Sequence, residues 1–201
     1  YVTVKEHGEL FNEKIRLNYS ETEVVSEIDL IKNDIARECL RLLDMPKSIY
    51  ISTISDIPSQ SGLGSSGSFA VGLLKALNTF KGKELSPEEL AEQASHVEID
   101  ILGNPIGKQD QYAAAFGGLN IFKFEKSGKV TVENLQRNNH IREIFDNALF
   151  FWTGITRSSS FVLSNQQENL KRNLKHLHLL KDFAIEASNL VKGDFDLKKF
   201  S

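Results

Sequence analysis

Apolar and polar residues alternate over 1–5 and again over 12–19, on either side of His7-Gly8-Glu9, and this pattern predicts a hairpin with a long turn. The period then changes. Ile31, Ile35, Leu40, Leu42 and Leu43 recur at helical intervals across 31–44. Residues 48–54, Ser-Ile-Tyr-Ile-Ser-Thr-Ile, are β-branched and alternating, which predicts a strand. A polar loop marked by Pro and Gly follows at 55–64, and 65–80 places Phe69, Leu73, Ala76, Leu77 and Phe80 on one helical face. The next helix has a defined start: Ser86 as N-cap, Pro87 at the first helical position, and Glu89 closing a capping box. It is expected to run to about Ile101, where Gly103-Asn104-Pro105 stops it. A short helix is expected at 108–116, ended by Gly117-Gly118, and strands at 119–124 and 129–133 around a Lys-Ser-Gly-Lys turn. An apolar strand at 147–153 and amphipathic helices at 158–172 and 174–192 complete the pattern. Strands and helices do not alternate as strict βαβ units, which points to an α+β fold. There is no internal repeat or low-complexity tract.

With 201 residues, 40% hydrophobic and 25% charged, the chain holds enough apolar material for one large domain or two small ones. A formal net charge of -3 gives no basic field toward nucleic acid or membrane. Cys39, the single cysteine, excludes an intramolecular disulfide and a thiolate metal cluster, and makes a reducing, cytoplasmic setting the default expectation. No stretch approaches the ~20 apolar residues of a membrane span, and no signal peptide is visible. The chain opens on Tyr-Val-Thr-Val-Lys without an initiator Met, so a piece of a longer chain is expected.

Chemistry enters at Pro58-Ser59-Gln60-Ser61-Gly62-Leu63-Gly64-Ser65-Ser66-Gly67-Ser68, between a predicted strand and a predicted helix. Two glycines let the backbone approach a ligand, and the helix start beyond them offers free amides and a partial positive charge, the elements of a phosphate cradle. Three readings remain open on the loop alone. Gly62, Gly64 and Gly67 match the dinucleotide pattern G-x-G-x-x-G, but about seven loop residues separate them from the strand, and no acidic residue ends a second strand ~20 residues on. A Gly-Lys-Ser/Thr phosphate loop is absent. A flexible loop capping a core helix is the bland reading, and the tandem serines at the helix start favour anion binding over it.

Two carboxylates form a second constellation. Glu98 shares a helical face with Ala91, Ala94 and Ile101, whereas Asp100 falls on the polar side with His96 and Gln93. A glutamate on a core-facing stripe needs a cation, since isolated burial of its charge costs several kcal/mol. A shifted helix phase, or pairing with an arginine, is the competing reading. Asp110 lies in the first turn of the short helix, within Gly107-Lys108-Gln109-Asp110-Gln111-Tyr112, where the helix dipole favours an ionised carboxylate. Simple capping explains that position equally well.

The run Pro-x-x-x-Gly-Leu-Gly-Ser-Ser-Gly-Ser resembles the ATP-binding motif of the GHMP kinases, which include galactokinase, homoserine kinase, mevalonate kinase and phosphomevalonate kinase. Glu98 followed by Gly107-Lys-Gln-Asp110-Gln111 is similar to their magnesium-binding glutamate and catalytic aspartate. The wider run Gly107–Gly118, with Phe151-Trp152-Thr153-Gly154-Ile155-Thr156-Arg157-Ser158-Ser159-Ser160, is similar to the D-glycero-D-manno-heptose 7-phosphate kinase branch, which phosphorylates an anomeric hydroxyl and would serve synthesis of nucleotide-activated heptose and surface polysaccharide. The resemblance implies a two-domain fold, with a ribosomal-protein-like N-terminal domain at 1–146 and the start of a ferredoxin-like C-terminal domain at 147–201. The family's first motif would precede Tyr1, and its last glycine-rich motif would follow Ser201.

For the site, the resemblance implies ATP held by Pro58, Ser61, Gly62, Leu63, Gly64, Ser65, Ser66 and Gly67. It implies Mg²⁺ held by Ser66 and Glu98, and Asp110 orienting or deprotonating a sugar hydroxyl. Gln109, Gln111 and Arg157 are the expected contacts to a small sugar phosphate, although a surface Arg beside a helix start is the stronger reading of Arg157. Lys108 is expected to be solvated, and His96 and Trp152 to pack. A homo-oligomer is compatible with the sequence. The alternatives are another GHMP sugar kinase, galactokinase- or fucokinase-like, or a nucleotide- or sugar-binding protein on the same fold without turnover. A Rossmann-like dehydrogenase is disfavoured by the loop's placement.

Overall fold

The computed structural model describes residues 1–8, 10–11, 13–46, 48–57, 61–135, 140–151, 154, 169–193 and 195–200. They divide into two units, one holding Tyr1–Phe116 and the other beginning at Gly117. The expected boundary at 146/147 falls inside the second unit, because the hairpin that follows Gly117 pairs within itself.

In the first unit four strands form one mixed sheet: β1 (Val2–Glu6), β2 (Ile15–Asn18), β3 (Thr22–Val25) and β4 (Ile49–Thr53), in the order β1-β4-β2-β3. The expected hairpin between the first two strands does not form. β1 runs antiparallel to β4, with Val4 opposite Ile51, and β2 runs parallel to β4, with Leu17 opposite Ile51. Alternation marks a strand but says nothing of its partner. The hairpin partner of β2 is β3, unanticipated because its inward residue is Glu23 rather than a hydrophobe. Burial pushes that carboxyl up, but the Lys32 and Asn33 amides and the Tyr19 hydroxyl all donate to it, and together they hold it below its ordinary value.

Ile15, Leu17, Ile49 and Ile51 line the inner face of the sheet without exposure. Against them pack α1 (Asp34–Leu42), capped by the Asn33 side chain, and α2 (Ser65–Phe80). The buried stripe of α2 runs through Ala70, Val71, Leu73, Leu74 and Leu77; Leu73 and Leu77 lie on the expected face and Phe69 packs beside it, whereas Phe80 stands exposed. Next comes α3 (Pro87–Ser95), which has the predicted capping box in full: the Glu89 amide donates to Ser86 Oγ, and the Ser86 amide to Glu89 Oε2. The helix continues as a π-turn over His96–Ile101, and α4 (Gln109–Phe116) closes the unit.

In the second unit β5 (Asn120–Phe124) and β6 (Val130–Asn134) form an antiparallel hairpin whose turn uses Gly128 at φ 87°. A helix α5 spans His140–Asp146. The strand expected at 147–153 does not form over 147–151, where the apolar side chains of Leu149, Phe150 and Phe151 stand exposed; 152–153 lie outside the described residues. Of the last two expected helices, the second is present as α6 (Leu170–Lys192), which begins a turn before residue 174, where the Asn173 amide donates to the Asn169 carbonyl; 158–168, the bulk of the other, lie outside the described residues. No helix among the described residues is long and apolar enough to cross a membrane.

Candidate active site

The glycine loop leads into α2 through two left-handed residues, Gly62 at φ 77° and Gly64 at φ 68°. Gly64 is the N-cap and has no side chain to cap with. The first intrahelical bond runs from the Ser68 amide to the Gly64 carbonyl, which leaves the amides of Ser65, Ser66 and Gly67 without intrahelical acceptors. An open helix start of this kind suits an anion. Ser61 Oγ is buried at the loop's base without a partner, and Leu63 is exposed at its tip. Pro58 lies outside the described residues.

The N-terminal turn of α4 lies directly against this helix start. A Cβ added to Gly64 would lie 3.1 Å from Asp110 Cγ, and one added to Gly67 would lie 3.1 Å from Asp110 Cβ and 3.2 Å from the Gln111 amide. Both glycines allow a close approach that a side chain would crowd, and at Gly64 the positive φ favours glycine as well. Asp110 itself is exposed at the first turn of its helix, with its carboxylate beside the start of α2.

Glu98 reaches the same place from the π-turn. The Leu102 amide donates to the Val97 carbonyl, an i to i−5 bond that inserts extra backbone into the turn. This is why Ile101, expected beside Glu98 on the inner face, is 41% exposed while Glu98 is 1% exposed. Asp100 faces outward as the pattern predicts, but His96, expected to pack, is exposed and pairs with Asp100 instead. Gln111 Nε2 donates to Glu98 Oε2 at 2.6 Å, and the Ser66 hydroxyl lies within hydrogen-bonding reach of the same carboxylate. Glu98 Oε1 is buried with no partner, and among the described residues no lysine or arginine pairs with it. Burial raises its pKa most, and the charges of Asp110 and Asp34 add to the rise, against the lowering effect of Gln111 and Ser66.

The residues fit a bound Mg²⁺. An orphaned buried carboxylate oxygen beside a serine hydroxyl is an incomplete oxygen donor set, and Mg²⁺ takes few protein oxygens because it keeps waters and phosphate oxygens in its shell. No cluster of three or more His, Cys, Asp or Glu side chains suited to a metal occurs among the described residues, so a fully protein-built cage does not compete.

Of the expected substrate contacts, Gln109 is exposed at the start of α4, whereas Gln111 is fully buried with its amide turned to Glu98. Arg157 and Trp152 lie outside the described residues. Lys108, expected in solvent, instead donates to Glu92 at 2.7 Å, and the Tyr112 hydroxyl donates to the same carboxylate at 2.6 Å. Sequence reading passed over Glu92, since nothing local links it to a lysine sixteen residues on.

Comparison with known proteins adds a family. The description "GHMP kinases N terminal domain" matches residues 29–118. A D-glycero-alpha-D-manno-heptose 7-phosphate kinase from Campylobacter jejuni is 33% identical over 173 residues, covering 84% of this chain and 51% of that protein. An L-fucokinase/L-fucose-1-P guanylyltransferase from Bacteroides fragilis is 27% identical over 75% of the chain and 16% of its own length. Among solved structures, a D-glycero-D-manno-heptose 1-phosphate kinase from Bacteroides thetaiotaomicron superposes with a TM-score of 0.72 at 28% identity, over 96% of this chain and 61% of that one. The chain thus spans about half the length of the curated heptose kinase it matches.

Proposed function

We propose that the protein, whose residues 29–118 match the GHMP kinase N-terminal domain, transfers the γ-phosphoryl group of ATP to a hydroxyl of a heptose phosphate or a closely related sugar. The observation that carries this reading is the convergence of Ser66, Glu98 and Asp110 at the uncapped start of α2. The amides of Ser65, Ser66 and Gly67 hold phosphate oxygens. Ser66 and Glu98 would hold Mg²⁺ through their side-chain oxygens, and the ion would offset negative charge on the phosphates. Asp110 orients the acceptor hydroxyl and takes its proton. The hydroxyl oxygen bonds to the γ-phosphorus as the bond to the β-phosphate oxygen breaks, and ADP leaves. In a loose phosphoryl-transfer transition state positioning contributes more than base strength, which suits an aspartate held against a helix start.

The heptose assignment draws on the names of the heptose kinases that the chain resembles, and the sugar is the finer part of the proposal. It is tested by incubating the full-length protein with ATP, Mg²⁺ and a panel of heptose phosphates, galactose, fucose and mevalonate while measuring ADP release. Release that is fastest with a heptose phosphate supports the proposal. A preference for galactose or fucose keeps the kinase and replaces the sugar. ATP binding without acceptor-dependent ADP release from any of them would sink it in favour of a non-catalytic binder.

A further inference from the structure

We propose that Glu92 is a positioning residue for Asp110, a two-point clamp that fixes the turn carrying the aspartate; the inference rests on the kinase reading above for its effect on turnover. The first turn of α4 is closed by the Tyr112 amide donating to the Lys108 carbonyl at 3.1 Å, and Asp110 lies midway between those two residues. Glu92, on α3, grips both ends of that turn. Lys108 Nζ donates to its Oε2 at 2.7 Å and its Oε1 at 3.0 Å, and the Tyr112 hydroxyl donates to Oε1 at 2.6 Å. Tyr112 is 1% exposed and stacks on Phe116, so its hydroxyl has a fixed origin. Burial pushes the Glu92 carboxyl up, but the Lys108 and Tyr112 hydrogen bonds outweigh it and keep the group ionised.

The clamp meets a second constraint. On the inner side of the turn Gln111 is tied to Glu98, and against α2 the Asp110 side chain packs so closely that a methyl group at Gly64 or Gly67 would lie 3.1 Å from it. The position of Asp110 along the α2 start is therefore narrowly bounded on that side. A drift of the α4 turn moves the carboxylate either into the α2 backbone or away from the open amides. Misplacement of a reacting group by ~1 Å costs about 100-fold in rate. Ion pairs as exposed as this one, with Lys108 at 33% and Glu92 at 44% in their side chains, add little to global stability. Positioning and plain stabilisation thus make different predictions.

The test uses the full-length protein with ATP, Mg²⁺ and its best acceptor. Glu92→Ala should lower kcat about 10- to 100-fold while the KM for ATP stays within about two-fold. It also takes this acceptor from the buried Tyr112 hydroxyl, so a modest fall in Tm is expected there and not in Tyr112→Phe, which removes the hydroxyl itself. Glu92→Gln, which keeps an acceptor for Tyr112 and loses the charge facing Lys108, should fall between. Tyr112→Phe and Lys108→Met each release one grip and should show smaller losses of the same kind, which guards against a misfolded alanine variant. Hydrogen exchange in a peptide spanning 107–116 should quicken in all four. Ser86→Ala loosens the start of the same α3 without touching the clamp and should leave kcat unchanged. Wild-type kcat and wild-type exchange in Glu92→Ala would overturn the proposal, as would an equal loss of kcat in Ser86→Ala. If the wild-type protein phosphorylates no acceptor, the kinase reading fails on its own, and the exchange at 107–116 still decides the clamp: faster exchange supports it and unchanged exchange overturns it.

Discussion

Glu98 brings a carboxyl into a site with 1% exposure, where the donor it meets is the neutral amide of Gln111 and Oε1 has no partner. Its pKa is raised by burial first and by the charges of Asp110 and Asp34 next. A carboxyl with a raised folded-state pKa binds protons more tightly folded than unfolded, so its ionisation opposes folding. Stability attributable to Glu98 should be full below the ordinary carboxylate range and decline as pH rises through the window above 4.5. Glu98→Gln should therefore be more stable than wild type at pH 8 without divalent ions, by about 1 kcal/mol, and should lose the gain in Tm that Mg²⁺ gives the wild type. Thermal melts with and without Mg²⁺ check both; a Mg²⁺ response equal to wild type would remove Glu98 from the metal site. Asp110→Asn keeps the shape of the side chain and removes its proton-accepting charge. It should lower kcat by about 100- to 10,000-fold while leaving ATP affinity, read by calorimetry, close to wild type. Gly64→Ala places a methyl 3.1 Å from Asp110 Cγ on a backbone at φ 68°, so it should cost about 1–2 kcal/mol in a denaturant titration and reduce turnover as well.

Among the elements, the π-turn at His96–Ile101 does the most to make the site. A regular α-helix would leave Ile101 inward beside Glu98; the extra backbone turns Ile101 out and keeps Glu98 in. The start of α3 is fixed by a capping box that was legible in Ser86-Pro87-Glu88-Glu89, because all of its partners lie within one turn. Ser86→Ala should cost about 1 kcal/mol of stability, read by thermal or urea unfolding. The boundaries of α2 and α4 were nearly as legible, from glycines that cannot continue a helix and from the polar loop before them. The buried face of α2 was legible in part: Leu73 and Leu77 lie on it and Phe69 packs at its edge, but Ala70, Val71 and Leu74 complete it while Phe80 stands exposed, a choice made by packing against the rest of the core.

For the whole molecule, the first unit has its own sheet, its own core and the full Ser66–Glu98–Asp110 grouping. A chain ending after Gly118 should melt in one cooperative transition by circular dichroism, and a broad, non-cooperative melt would show that its core needs the second unit. The sequence by itself determined which residues are chemically able to serve: an uncapped glycine-serine helix start, a glutamate on an apolar stripe, and an aspartate in the first turn of a short helix. It also determined most element boundaries, because caps, breakers and periodicity act over a few residues. Tertiary structure alone decided the partners. It paired β1 with β4 rather than β2, turned Gln111 from an expected substrate contact onto Glu98, and brought Glu92 onto Lys108 and Tyr112. Those pairings join residues far apart along the chain, and what selects them is the packing of a shared core, which no local pattern of residues encodes.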